Sequence, residues 1–542
     1  MPSRRGHSLF LIVLLAGVGA FTGLWYAASE HSRGTDPAFG GVYVEGLAGA
    51  PARINPLFAA QNEADEALAS LVFAGLTRLD DHGTAFPDLA EEWTVSADGR
   101  TYTFRLRQGL VWQDGVELTA DDVLFTYDLL RATELRAPPA LSRVLAEATI
   151  AKQDSRTLTV ALPQPFAPLP AYLTLGILPA HLLEEVSAAS LFDAGFNLQP
   201  VGAGPYRLEA LSAERALLVA NPAYHFGQPF IQRLELRFYR DEGALLAALK
   251  GRQVSGALFR SPLAAGDLLA LEQRRDLRQT LLPTGEVTFV YLNLRRSLFE
   301  DRRVRQALLY AIDRDALVAE VLSGHALPAD SPIAPLSWAH TAALDRYDPD
   351  AEIAGLLLDE AGWRLDGRGV RTRGGSELAF TLSCTSDPLQ VALAQAIAER
   401  WSAIGVRVTV APTGATTLVR DMLAQRSYEA ALFVQAGEPD PDPYPAWHST
   451  QTGAKGGNLS SLSDPRFDRL LEQARLLEDA PGRKDLYAQF QELFAQEVPA
   501  IPLYASAALY VQGASLRGVR LGLLESAGSR FWQVQEWHLK TR

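Results

Sequence analysis

The sequence predicts an α/β protein built as two lobes joined by extended crossings, and three observations predict it. The chain has 542 residues, too many for one ordinary core, so two or three structural units are expected. A hydrophobic share of 48% with a charged share of 21% is that of a folded globular chain and excludes disorder and collagen. Strand-like runs alternate with runs of helical spacing along most of the length, and no repeat of roughly 20 to 50 residues is visible, which excludes solenoids and propellers.

The N-terminus differs from the rest. Arg4 and Arg5 precede an uncharged run whose apolar part, LFLIVLLAGVGAFTGLWYAA, is 20 residues long, enough to span a bilayer as a helix. A signal peptide has a shorter apolar centre, yet Ala27-Ala28-Ser29 offers small residues near a cleavage point. Residues 1–29 are therefore read as a signal peptide or an uncleaved membrane anchor, with length favouring the anchor. In both readings the arginines stay cytoplasmic and the body is exported to a periplasmic or cell-surface location. No cysteine follows the apolar run, so lipid attachment there is excluded.

After a linker over residues 30–39, VYVEG opens the globular part as a strand. In NEADEALASLVFAGL, Ala64, Leu68, Leu71, Val72 and Leu76 recur at helical spacing. In TYTFRL the residues Tyr102, Phe104 and Leu106 share one strand face, and Asp98-Gly99 supplies the preceding turn. The following ELTADDVLFTYDLLRA begins a helix. Thr119 caps it, Asp121 and Asp122 suit the positive end of its dipole, and Val123, Leu124, Tyr127 and Leu130 form the buried face.

Residues 158–208 are rich in proline and end in PVGAGPYRL. Strands LELRFY and GALFR then flank a helix at GALLAALKG. The strand EVTFVYLNL leads into a second lobe, where DRRVRQALLYAIDRDALVAEVLSG places Val304, Leu308, Ala311 and Ile312 on one side. Helices ending at Gly362 and Gly405 follow, then the strand VRVTVA. Two late helices carry proline in the first turn, and PAIPLYASAALYVQG returns to strand character.

Composition narrows the function. Net charge is −13, and it is more negative still without Arg4 and Arg5, so nucleic acid is not an expected partner. The single cysteine, Cys384, forms no intrachain disulfide and reads as a small buried thiol in a strand. There is no HExxH, GxxxxGK[ST] or GxSxG motif, and the nine histidines are dispersed. Neither catalysis, a metal site nor a cofactor is indicated.

One loop stands out. GEPDPDPYPAWHS, residues 437–449, sets Glu438, Asp440 and Asp442 at every second position among prolines and closes on Tyr444, Trp447 and His448. As a calcium loop it fails, because position 6 is Pro443 instead of glycine and position 12 is Ser449 instead of glutamate. Prolines remove donors and hold each preceding residue extended, so neither helix nor central strand is expected. A solvated acidic turn is the plain reading of any one carboxylate. As a stiff arm, the loop would meet a ligand at low ordering cost, with Tyr444 and Trp447 as pocket wall.

Past residue 40 the chain resembles the extracytoplasmic solute-binding proteins of ABC importers, in the oligopeptide, dipeptide and nickel-binding family. The words that carry this are LTRLDDHGTAFPDLAEEWTVSADGRTYTFRLRQGLVWQDGVELTADDVLFTYDLL, PVGAGPYRL, LNLRRSLFEDRRVRQALLYAIDRDAL, LLDEAGW, NLSSLSDPRFDRLLEQA and VPAIPLY, in this order. The resemblance implies a periplasmic-binding-protein-like clamshell with mixed sheets. Lobe I would combine residues 40–62, 186–288 and 508–542, with an inserted subdomain at 63–185. Lobe II would span 289–507, with crossing strands at Val287–Asn293 and around Val498–Tyr510.

The resemblance also implies a monomeric, non-enzymatic receptor. It would close on a peptide or other small solute and deliver it to ABC permease subunits in the membrane. The family's ligand loop matches Val434 through Ser449. Peptide binders carry an aspartate there that pairs with the peptide's α-amine, and that position falls on Gly437, so the amine anchor is missing unless Glu438 or Asp440 takes over. Ala48, Gly49, Ala50 and Pro51 match the stretch along the cleft floor. The words around Trp112, Asn293 and Asp313 read as fold signatures. An anchored N-terminus supports a second reading, a membrane-tethered solute sensor that signals to a partner with the same clamshell.

Overall fold

The computed structural model of the chain describes residues 36–135, 140–342, 344, 347–477 and 480–541. The apolar N-terminal segment lies outside the described residues. Among the described residues no helix is long and apolar enough to cross a membrane. The end of the expected linker is ordered, since Pro37–Ala38 pairs antiparallel with Lys540–Thr541.

One mixed eleven-stranded sheet runs through both lobes. Its first half holds Val42–Ala48 between the parallel strands Arg233–Tyr239 and Gly256–Phe259. The second half holds Ala379–Thr385 between the parallel strands Arg407–Thr413 and Ala430–Gln435. Two long antiparallel strands, Leu277–Leu292 and Ala500–Gly513, join the halves. They pair from Leu277↔Gly513 to Pro283↔Ala507 and again from Val287↔Ala505 to Tyr291↔Ala500, so Thr284, Gly285 and Glu286 fall out of register.

The first crossing strand thus begins ten residues before Val287, where the sequence placed its start. Pro283 and Gly285 lie at the break, where a bulge removes only a few ladder bonds and lets the strand resume with stronger twist. The side chain of Thr284 ties the bulge to the partner strand by donating to Ser506 O at 3.1 Å.

The helices follow their caps. Asn62 Oδ1 accepts from Ala64 N at 2.9 Å and opens Glu63–Val72. Thr119 and Asp122 form a reciprocal capping box on Ala120–Arg131. The run expected as one helical unit after Glu300 is two helices, Arg302–Tyr310 and Arg314–Val321. Asp313 caps the second by accepting from Ala316 N at 2.9 Å. Asn293 is buried and donates to the carbonyls of Arg426 and Tyr428 at 3.0 and 2.7 Å. Cys384 is a buried free thiol, and burial pushes its pKa up.

The insertion packs through apolar residues shared with lobe I. Leu68, Tyr102, Phe104 and Tyr127 belong to the same buried cluster as Tyr43, Tyr206, Leu236 and Trp537. Its strands Ala90–Val95, Thr101–Leu106, Thr149–Asp154 and Thr157–Ala161 form a separate four-stranded sheet. Lobe II has its own clusters on the two sides of the great sheet.

Candidate functional site

The loop after the strand Ala430–Gln435 lies where the lobes meet. A small cavity of about 50 Å³ opens beside it. Its walls come from four places: Gly83 of the insertion, Gly285 of the crossing bulge, Ser337 and Gly437–Pro443 of lobe II, and Leu523 and Glu525 of the C-terminal segment. A wider groove of about 510 Å³ continues between the insertion and lobe II, past Trp93, Pro168, Trp338 and Arg483.

Two of the loop's three carboxylates, Asp440 and Asp442, are committed to arginines of the protein, contrary to the expectation that they wait for a ligand. Asp440 is buried and receives both terminal nitrogens of Arg483, at 2.9 and 2.5 Å. Burial pushes the Asp440 carboxyl up against the pull of that guanidinium. Asp442 accepts from Arg475 Nε at 2.7 Å and from Tyr444 N at 3.1 Å. Both arginines stand on helices C-terminal to the loop, Pro465–Leu476 and Ala480–Glu497.

Glu438 is the loop's accessible acid, with its side chain 35% exposed. Tyr172 of the insertion donates its hydroxyl to Glu438 Oε2 at 3.2 Å, and Arg143 reaches Oε1 at 3.8 Å. Burial and then the charges of Glu438, Asp440 and Asp442 push the Tyr172 phenol up. A backbone bond from Ala167 N to Arg475 O at 3.1 Å also joins insertion to lobe II.

The aromatic expectations divide. Trp447 is fully buried and is core, not pocket wall. Its ring lies 4.7 Å from Phe494 and stacks at 6.0 Å on Tyr291. The physical reason is local. Tyr444–Trp447 forms one helical turn after Pro443, contrary to the loop reading, and turns the indole inward. Tyr444 remains half-buried, with Arg475 3.8 Å above its ring and His448 stacked at 4.0 Å. Val434 is half-buried in the ladder opposite Thr288.

Gly437 is set by space. A Cβ there would meet Gly285 Cα and C at 2.9 Å, so a side chain at this position collides with the crossing bulge. Ala48–Pro51 stand elsewhere. Gly49 adopts φ +86° and donates to Tyr239 O at 2.7 Å. Ala50 and Pro51 line an open depression of about 810 Å³ with Gln113, Leu198 and Arg207. The two stretches that the sequence put at one site line different cavities.

One acid in the cavity was missed. Glu525 is partly buried, and among the described residues it has neither a hydrogen-bond nor an ion-pair partner. Burial, followed by the charge of Asp440, pushes its carboxyl up to about 8. Its surroundings, LLESAG, carry no motif, and only an acid between two leucines and small residues marks it. Among the described residues, Asp80, Asp81 and His82 bring metal-type donors together. Asp80 is already used to close its turn, accepting from His82 N and Thr84 N at 2.9 and 2.8 Å.

Residues 84–457 match the family described as bacterial extracellular solute-binding proteins, family 5. The oligopeptide-binding protein AppA of Bacillus subtilis is 27% identical over 505 residues, covering 91% of this chain and 92% of that protein. The structure of AppA in complex with a nonapeptide superposes with a TM-score of 0.66 at 25% identity, over 93% of this chain and 100% of that one. NikZ from Campylobacter jejuni, solved in complex with Ni(L-His), gives a TM-score of 0.67 at 26% identity, over 92% and 99%. With its two-lobed sheet and an interlobe cavity, the chain belongs to the family 5 extracellular solute-binding proteins.

Proposed function

We propose that this protein is the receptor of an ABC importer and captures a peptide or another small solute between its lobes for delivery to a membrane permease. The observation that carries this is the sheet itself. Its two halves are joined through two strands whose register breaks at 284–286, and the interlobe cavity opens at that break. Each half has its own apolar clusters, so each moves as a rigid body while the bulge absorbs the rotation. A solute contacting both lobes favours the shut state by its differential affinity for it. Enclosure then strengthens each polar contact by excluding water.

The relatives support a solute of peptide or chelate type, and a binding protein instead of an enzyme. The receptor acts outside the cytoplasm, directed there by the apolar run Leu9–Ala28 as a signal peptide or as a membrane anchor. Carbonate extraction tests the tether, since a spanning helix keeps the protein in the pellet. Small-angle scattering with a panel of peptides, amino acids and nickel–histidine tests the receptor. One class should shrink the radius of gyration and raise the melting temperature with concentration. An unchanged profile with every member rejects the proposal.

A further inference from the structure

We infer that Glu525 anchors a primary ammonium group of the solute, because its carboxylate faces the interlobe cavity, has no cationic partner among the described residues, and is flanked by two glycines that leave room for one. The inference rests on the interlobe cavity being the solute site.

Backbone bonds fix the position of this acid. Leu523 N donates to Asp81 O at 2.9 Å and Leu524 N to Pro283 O at 2.8 Å, and Leu524 bridges to Thr284. The segment is therefore pinned between the insertion and the crossing bulge. A Cβ added to Gly83 would stand 3.4 Å from Glu525 Oε1, and one added to Gly285 would stand 3.5 Å from Oε2. The same Cβ on Gly285 would lie 3.2 Å from Gly437 Cα. Insertion and bulge each place a glycine beside one carboxylate, and the loop's Gly437 packs on the bulge glycine.

The other acids of the cavity are paired, Asp440 with Arg483, Asp442 with Arg475, and Glu438 with Tyr172 and Arg143. Among the described residues Glu525 alone of these acids has no partner, and a partly buried carboxylate with none is costly until a cation arrives. The charged groups facing it are acidic, with Asp440 the one that acts on it, so the local field also favours a cation. Size selects which cation. About 50 Å³ exceeds the roughly 30 Å³ share of one water. A primary ammonium, with about the bulk of one water, fits that space. Gln435 and Ser337 line the same space and offer neutral acceptors for its remaining N–H groups. Since Glu525 comes from lobe I and Gly437–Pro443 from lobe II, a cation held there couples binding to closure.

The test uses calorimetry and melting shifts on the full chain and on Glu525→Gln. The probes are a lysine-free tripeptide pool, the same pool N-acetylated, and single amino acids. Free-amine probes should bind the native chain at least tenfold more tightly than acetylated ones and lose at least tenfold in Glu525→Gln. Binding at pH 7 should also release a proton, read as buffer-dependent heat in the native chain. That second readout decides the matter even if the variant fails to fold. Equal affinity in Glu525→Gln, equal affinity of acetylated and free pools, or no proton release overturns the inference while leaving the receptor reading intact. If no amine probe binds, the inference falls as well. The receptor reading then stands or falls separately, on whether sugars or nickel–histidine compact the protein in scattering.

Discussion

Arg483 and Asp440 form a bidentate ion pair inside lobe II, at 2.9 and 2.5 Å, with both side chains nearly inaccessible to solvent. Tyr487, one helical turn along, donates no free charge but shares the arginine, its oxygen lying 2.8 Å from Arg483 Nη2. The pair locks the acidic loop onto the helix Ala480–Glu497 and removes Asp440 from the solute's reach.

Asp440→Ala should therefore act on stability and not directly on affinity. It leaves a buried guanidinium without its counter-charge, which costs about 3–5 kcal/mol. Arg483→Met should cost a similar amount, and the double variant less than the sum, since neither charge then remains unpaired. Urea unfolding of the three variants measures this coupling.

Trp447→Ala should lower stability by about 3–5 kcal/mol, because it empties a site packed by Phe289, Tyr291 and Phe494. Trp447→Phe should recover a large part of the loss. Solute affinity per folded molecule should stay within about threefold of native in both, as the indole is enclosed in the core. Calorimetry on the folded fraction checks this, and a selective loss of affinity would return Trp447 to the pocket wall.

Glu525 makes stability depend on pH in a defined direction. Its folded carboxyl is raised to about 8, whereas an unfolded glutamate titrates near 4.3. Between these values the folded chain keeps a proton that the unfolded chain has lost, so its contribution to stability falls as pH rises. Glu525→Gln cannot ionise. Its stability advantage over the native chain should grow by roughly 2–3 kcal/mol from pH 5 to pH 8, a figure reduced because water reaches the carboxylate. Urea midpoints for both chains across that range provide the measurement.

Gly437→Ala should cost about 1–3 kcal/mol, since its Cβ would lie 2.9 Å from Gly285 backbone atoms and the loop or the bulge must move. Gly285→Ala should cost a comparable amount. The two should combine non-additively, because they press on one contact. Thermal melts of the two single variants and the double variant test this, and strict additivity would show that the backbones do not meet.

Periodicity and caps made much of the fold legible. Tyr102, Phe104 and Leu106 alternate inward as their spacing demanded, and Thr119 caps its helix. The site was legible only in part. The Pro-rich loop was located, but Asp440 and Asp442 face arginines from helices 30 to 45 residues downstream, and no local pattern links such partners. The crossing strand starts at Leu277 and not at Val287, because proline and glycine at a bulge leave the same local pattern as a strand end.

By itself the sequence determined the alternation of strands and helices, the capped helix starts, and the stiffness of residues 437–443, since these follow from side-chain period and backbone chemistry within a few residues. Tertiary structure alone decided which carboxylates are spent and which is left over. Burial and pairing arise when segments distant in the chain meet. Asp440 met Arg483, while Glu525, whose preceding leucines are pinned to Asp81 and Pro283, met two glycines and a like charge and has no ion-pair partner among the described residues.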